Sequence, residues 1–432
     1  MGLRLSLLLC LLLAVPLCGD DAPVDPWTYY GVFRLDGGEL FQGGLLEEGE
    51  RALWGFGDPL EPAIGGLIYD RTSATRFVSV LRPGAVLEFS QLDADGYQAI
   101  TLEEDGKVLQ GRRAPRLERL DATLEVDGGE LAVSLSLPLC PGGPRPLVVS
   151  IAGSGRNTRH NSIFSTFFLS RGMAVASFDK RDADPLAAGW QEQDLEEIAD
   201  DASALLTWAA AQPGIDRQRV GIMGSSQGGW TGSMVAAQHP ETAFLIVRAG
   251  PGVSELETHL YERRQELRAE GLAGKDLDKA LQLSRQIYRR AIAGETLAST
   301  DPLVAPWLGE DWYRTAFGEG PISQRWSQRW WRWAGQNMPV SAPPHLERYA
   351  GAVLWFLGEE DQNVPLVSSH SALSATFSRS PGSDHELVVI PDVGHDFMLD
   401  MPSPRARFAP GFWDRIDSWL AERGLSDPQC VR

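Results

Sequence analysis

The sequence predicts an α/β protein: a mostly parallel sheet covered by helices, preceded by a small antiparallel β module and interrupted by a helical insertion. Three observations carry this. After Cys140, continuous apolar stretches alternate with helical patterns, the mark of strands buried on both faces. Before that point the apolar stretches are short, alternate with polar residues and are punctuated by Gly and Asp pairs. Between the two lies no gradual transition, and the apolar stretch Arg219-Val-Gly-Ile-Met-Gly-Ser-Ser-Gln-Gly-Gly-Trp230 ends on a glycine-flanked serine.

At the start of the chain, Arg4 is followed by an apolar run from Leu5 to Leu17 and then by Cys18-Gly19-Asp20-Asp21. That run is too short to span a bilayer but has the length of a signal-peptide core, so residues 1–19 are expected to direct export, periplasmic or secreted. Cys18 also stands where a bacterial lipoprotein carries its lipid, although Val15-Pro16-Leu17 lacks the small residue before the cysteine; a membrane partner is expected only if Cys18 is lipidated. Met1-Gly2 with Ser6 matches a myristoylation pattern, which the adjacent leucine run explains away.

Residues 20–120 are assigned to the antiparallel β module. Tyr30–Leu35, Glu39–Phe41, Gly65–Tyr69, Arg76–Val80, Val86–Phe89 and Tyr97–Thr101 read as its strands, in a small sheet or barrel. It contains no constellation of catalytic residues and reads as a structural or substrate-edge module. Residues 121–428 form the α/β domain, opened by the hairpin Ala122–Val126 and Leu131–Leu135 around Asp127-Gly128-Gly129. Its buried strands are Pro146–Ile151, Met173–Phe178, Val220–Met223, Phe244–Val247, Ala352–Leu357 and Glu386–Ile390, with helices over Asp194–Ala211 and Phe412–Arg423.

In such sheets chemistry sits beyond the carboxyl ends of the strands. Ser226 lies there, with Gly224 and Gly228 leaving room for a sharp strand-to-helix turn; the backbone N–H of Gln227 at the helix start faces any oxyanion formed on a bound carbonyl. The first parallel strand runs into Ala152-Gly153-Ser154-Gly155, whose Ser154 N–H is the second candidate donor. After Leu357 comes Gly358-Glu-Glu-Asp-Gln-Asn-Val-Pro365, which offers Asp361 to orient an imidazole, with Glu359 and Glu360 as competitors. After Ile390 comes Pro391-Asp-Val-Gly-His395, which offers His395 as general base. Serine is a weak nucleophile until a base takes its proton, and the base needs a carboxylate to hold its tautomer. The order Ser226, Asp361, His395 is that of the α/β-hydrolase fold.

From about Asp121 onward the chain resembles α/β-hydrolase esterases related to dienelactone hydrolases and to the catalytic domain of prolyl oligopeptidases. The resemblance rests on Ala152-Gly-Ser-Gly155, Phe178-Asp-Lys-Arg181, Gly224-Ser-Ser-Gln-Gly-Gly229, Ala249-Gly-Pro-Gly252, Gly358–Pro365 and Gly394-His-Asp396. It implies carboxylic-ester hydrolysis without a cofactor, by the triad Ser226, Asp361 and His395. Two positions depart from the pattern: Ala152 stands where a histidine is usual, and Asp182 where a glycine is.

Residues 254–344 read as an insertion: two amphipathic helices joined near Gly271–Gly274, then a tryptophan-dense part in which Trp326, Trp330 and Trp333 recur at helical spacing. These aromatic faces either pack on the sheet or form the underside of a lid over Ser226, in which case Trp326 and Trp330, together with Trp230, line an apolar acyl or alcohol pocket.

Composition closes off other classes. The 432 residues are 43% hydrophobic and 22% charged, enough for two or three domains. A net charge of −19 disfavours nucleic acid as a partner. The cysteines are Cys10 and Cys18 in the leader, then Cys140 and Cys430, which an oxidising compartment would allow to pair. No metal is implied, since zinc- and calcium-type spacings are absent from the sequence. The expected partner is a small-molecule ester. Too few residues precede the α/β domain for the β-propeller that screens oligopeptidases, which favours esters over peptides. A thioesterase, an acyltransferase or an S9-like peptidase would use the same three residues, and a binding protein on a hydrolase scaffold would need none of them.

Overall fold

The computed structural model describes residues 28–427, apart from 30, 38–39, 47–50, 57–66, 81–83, 95, 115–116, 141, 156, 158, 160–162, 182–192, 325–326, 380–383 and 400–406. The leader with Cys10 and Cys18, Asp182, Trp326 and Cys430 therefore lie outside the described residues.

The N-terminal module is a closed antiparallel barrel of eight strands: β1 (Gly31–Leu35), β2 (Leu40–Leu46), β3 (Arg51–Phe56), β4 (Leu67–Arg71), β5 (Arg76–Ser79), β6 (Val86–Asp93), β7 (Gly96–Glu104) and β8 (Lys107–Arg113). β1 closes the barrel on β8, with Phe33 opposite Arg113. Closure removes the exposed strand edge that an open sheet of this size would present. Alternation directs Phe33, Phe77, Leu87 and Phe89 inward, where Tyr29 meets Phe89 edge-to-face at 5.1 Å. Arg113 is buried with its charge satisfied: its Nε donates to Tyr97 O at 2.7 Å and its guanidinium lies over Phe33. The sequence does not announce β3 or β8. β8 turns half-buried Leu109, Gly111 and the buried, charged Arg113 toward the interior, Gly111 packing so close to Ile100 that a side chain there would collide, so no apolar alternation marks it.

The second body is an eight-stranded sheet in the order β16-β15-β14-β13-β11-β12-β10-β9. Its elements are β9 (Leu117–Val126), β10 (Gly129–Pro138), β11 (Arg145–Ile151), α1 (Ile163–Ser170), β12 (Ala174–Phe178), α2 (Leu195–Ala210), β13 (Ile215–Ser225), α3 (Gly228–Gln238) and β14 (Phe244–Arg248). After the insertion follow β15 (Ala352–Gly358), α9 (Leu366–Arg379), β16 (His385–Ile390), a two-stranded ribbon β17 (Met398–Leu399) and β18 (Arg407–Phe408), and α10 (Phe412–Glu422). β9 and β10 form the expected hairpin, and β11 to β16 run parallel with one another. Successive strand residues feed opposite layers: Leu147, Val149 and Trp355 pack under α2 and α3, while Val148, Leu354 and Phe356 pack under α1 and α10. α2 begins at a capping box, Asp194 accepting the Glu197 N–H while the Glu197 carboxylate accepts the Asp194 N–H.

The insertion is helical: α4 (Glu255–Ala269), α5 (Gly274–Ile292), α6 (Asp311–Phe317), α7 (Gln328–Asn337) and α8 (Pro343–Leu346). It has a hydrophobic core of its own, in which Leu260, Leu267, Leu281 and Ile287 from α4 and α5 meet Trp312, Trp331 and Trp333. Most of the tryptophans thus pack against the insertion's own helices rather than on the sheet, which was the first of the two placements the sequence left open. Its two ends are tied together by hydrogen bonds from Glu255 N to Val340 O and Leu256 N to Met338 O, at 2.9 and 3.0 Å, and Asn337 Oδ1 accepts the Leu195 N–H at the start of α2 at 2.7 Å. The insertion is therefore rooted in the α/β body. Among the described residues no helix is long and apolar enough to cross a membrane.

Candidate active site

Ser226 occupies the turn between β13 and α3 in the left-handed region, at φ 53. Such a conformation costs an L-residue on the order of 1 kcal/mol or more, so its surroundings must impose it. They do. A Cβ at Gly224 would stand 2.1 Å from Gly228 O, and one at Gly228 would stand 2.5 Å from Ile151 O, so only glycine at both positions lets the turn close against β11. The Ser226 N–H donates to Arg248 O at 2.8 Å, fixing the turn to the end of β14.

The loop after β15 presents Asp361, which is buried. Its Oδ1 accepts the N–H groups of Asn363 and Val364 at 2.8 and 2.9 Å, leaving Oδ2 for the imidazole. The loop after β16 presents His395. Its Nδ1 donates to Asp361 Oδ2 at 2.9 Å, and its Nε2 accepts the Ser226 hydroxyl at 2.9 Å. The two loops are joined by Glu360 N donating to Val393 O at 2.9 Å. Both competing carboxylates are exposed, and Glu359 turns its carboxylate to the Asp392 N–H, so of the three candidates Asp361 is the one that reaches the histidine.

The candidate oxyanion donors lie beside the serine. Gln227 precedes α3, and among the described residues neither its N–H nor that of Ser154 is bonded to an acceptor. The Ala152–Gly155 loop passes so close that a Cβ on Gly153 would meet Ser226 Cβ at 3.3 Å. Trp230, in the first turn of α3, is 3% exposed, packs in the core, and donates its indole N–H to Val253 O at 2.9 Å. It is a packing residue, against the expectation that it lines a pocket. Trp330 is half-buried within the insertion, its ring 5.8 Å from Tyr288 and 5.2 Å from Trp331.

Sequence reasoning missed several groups at this site. Arg248, at the end of β14, donates from Nη1 to His395 O at 2.7 Å; burial pulls its pKa below the usual arginine value. From α4, the Tyr261 hydroxyl donates to Asp361 O at 2.9 Å, and the Glu262 carboxylate accepts the Asn363 side-chain amide at 2.7 Å. Burial, with Glu266 nearby, holds the Glu262 carboxyl above the usual range, and burial raises Glu255 to about 8. Lys180, one of the residues in Phe178-Asp-Lys-Arg181, is also buried. No periodicity could have placed these side chains at the site; that Arg248 ends β14 and Lys180 follows β12 puts their backbones at the carboxyl edge of the sheet but does not tell which way the side chains reach.

Residues 127–389 match the family described as X-Pro dipeptidyl-peptidase (S15 family), more than half of the chain. The chain belongs to the S15 peptidase family. The matched span of this S15 member holds Ser226 and Asp361 and stops six residues short of His395. Among solved structures, it is similar to a hypothetical protein from Pseudomonas aeruginosa, at 19% identity over 71% of this chain and 94% of that one, TM-score 0.44. It is similar to acetyl xylan esterase 1 from Thermoanaerobacterium sp., at 17% identity over 71% and 88%, TM-score 0.41. It is also similar to an acylaminoacyl peptidase from Pyrococcus horikoshii, at 13% identity over 90% and 55%, TM-score 0.44.

Proposed function

We propose that this hydrolase cleaves carboxylic esters through an acyl-enzyme on Ser226. The observation that carries the reading is the continuous hydrogen-bonded line Ser226 Oγ, His395 Nε2, His395 Nδ1, Asp361 Oδ2, with both bonds 2.9 Å long. As Oγ attacks the ester carbonyl, His395 takes its proton at Nε2, and Asp361 stabilises the imidazolium. The carbonyl oxygen, now negative, is received by the N–H groups of Gln227 and Ser154. The imidazolium returns the proton to the departing alkoxide, and an alcohol leaves. A water molecule, deprotonated by the same histidine, then attacks the acyl-enzyme and releases the acid.

Family membership supports a second reading, in which the acyl donor is a peptide amide. The two differ in the leaving group, an alcohol in one and an amine in the other, and the triad serves both. Matched chromogenic esters and peptide anilides with the same acyl group decide between them. An ester rate above the anilide rate in kcat/KM is expected, and an anilide rate equal to or above it would defeat the ester reading. We also propose that the protein acts outside the cytoplasm: the leader pattern and a disulfide at Cys140 both support an oxidising compartment.

A further inference from the structure

The loop that offers Ser154 is shaped by groups that take hold of its carbonyl oxygens. The Asn157 side-chain amide folds back and donates to Gly153 O at 3.0 Å, Ser154 O at 3.2 Å and Gly155 O at 3.1 Å. With three successive carbonyls drawn to one side, the backbone amides between them are presented on the other, and the approach of Gly153 to Ser226 puts the nucleophile at hand. Asn157 is in turn held by Lys180, whose backbone N–H donates to Asn157 O at 3.0 Å.

The Lys180 side chain makes a second connection. It is 4% exposed, and its ammonium donates to Gly153 O at 2.5 Å and to the Gln227 side-chain oxygen at 2.9 Å. Gly153 belongs to the loop bearing one candidate oxyanion donor, and Gln227 bears the other. The two arise from elements far apart in sequence, β11 and the β13–α3 turn, and one cation bridges them. Burying an ammonium is costly unless it is hydrogen-bonded, so its placement between these two acceptors is strongly determined.

We propose that Lys180 is the positioning residue of the oxyanion hole: it locks the Ala152–Gly155 loop and Gln227 in register so that both N–H groups converge on one point above Ser226. The proposal rests on the reading of Ser226 as the acylated nucleophile, and it does not involve Lys180 in any proton transfer.

The test uses the full-length protein and three variants, Lys180→Met, Gln227→Leu and the double variant. Gln227→Leu removes one acceptor of the ammonium and retains the backbone N–H. Measured quantities are kcat and KM on a chromogenic ester, inhibition by a simple boronic acid, whose adduct on the serine places an oxygen in the hole, and melting temperature. Lys180→Met is expected to lose on the order of 10² to 10³ in kcat, the scale of a removed oxyanion donor, with KM changed less than about threefold and boronate affinity falling in step with kcat. Gln227→Leu is expected to lose about tenfold, and the double variant no more than Lys180→Met alone, because both changes break one bridge. If Lys180→Met does not fold, Gln227→Leu decides by itself through the same split between kcat and KM. A kcat within threefold of the wild type in a folded Lys180→Met or Gln227→Leu protein, or a loss confined to KM, overturns the proposal. Failure of the underlying reading looks different: the wild-type protein would then not be acylated at Ser226 by a fluorophosphonate.

Discussion

Replacing Asp361 with Asn changes one atom and should nearly silence the enzyme, for a reason fixed by its hydrogen bonds. Oδ1 accepts two backbone N–H groups, from Asn363 and Val364, and Oδ2 accepts the His395 Nδ1–H. The amide that replaces the carboxylate has one acceptor oxygen. If that oxygen stays with the two backbone donors, the amide NH2 faces Nδ1, which must then accept, so the proton of the neutral imidazole moves to Nε2. His395 in that tautomer cannot take the proton of Ser226. The flipped amide avoids this only by turning its NH2 against two N–H groups, which costs the desolvation and repulsion of buried donors, about 1–3 kcal/mol each. The wrong tautomer in a triad lowers kcat by about 10⁴, which corresponds to roughly 5 kcal/mol of transition-state stabilisation at about 1.36 kcal/mol per decade. The assay is steady-state turnover of a chromogenic ester, with melting temperature as the control. Asp361→Asn is expected to melt close to the wild type because the loop keeps its acceptor, whereas Asp361→Ala leaves two N–H groups without one and should lose stability as well as rate. An Asp361→Asn variant within tenfold of the wild-type kcat would refute the reasoning.

Tyr261→Phe deletes only the hydroxyl that α4 extends to Asp361 O. A single neutral hydrogen bond is worth about 1 kcal/mol, so kcat should fall several-fold with the pH profile retained; an unchanged kcat would show that the insertion does not hold the acid loop. Glu255 titrates at about 8 in the folded chain against a usual value of 4.5, owing to burial. Between these values the folded state holds a proton that the unfolded state has released, so stability is complete below about 4.5 and falls as pH rises toward 8. Glu255→Gln should therefore match the wild type in melting temperature at pH 4 and exceed it increasingly up to pH 8; an advantage independent of pH would contradict this. Cys140 is disulfide-bonded, and Arg145 links it to Asp427, since it both donates to Cys140 O and pairs with the Asp427 carboxylate at 3.6 Å. Peptide mapping without reduction is expected to join the Cys140 and Cys430 peptides, and two free thiols would count against the pairing.

The buried parallel strands were legible because a strand covered on both faces must be apolar throughout, as β11, β14 and β15 largely are. The strand-end rule then converted Ser226, Asp361 and His395 from three scattered residues into one site. The barrel was less legible: β8 carries Lys107, Arg112 and Arg113 with Gly111 breaking its apolar pattern, and only pairing on both sides makes it a strand. The tryptophans misled for a related reason. Spacing along α7 suggested a stripe through Trp330 and Trp333, but the buried face runs through Trp331, Trp333, Ala334 and Asn337, because α5 packs against that side. Groups such as Lys180, Arg248 and Tyr261 reach the site through tertiary placement of side chains, and local sequence carries no record of it.

The central claim is that Ser226 is the nucleophile and His395 its base. Intact-mass measurement after treatment with a fluorophosphonate, followed by peptide mapping, tests it most directly. One adduct per chain on the peptide containing Ser226 is expected, absent in Ser226→Ala and slowed by orders of magnitude in His395→Ala, with ester turnover lost in both. Stoichiometric labelling at another residue, or a Ser226→Ala variant that still turns over ester within tenfold of the wild type, would contradict it.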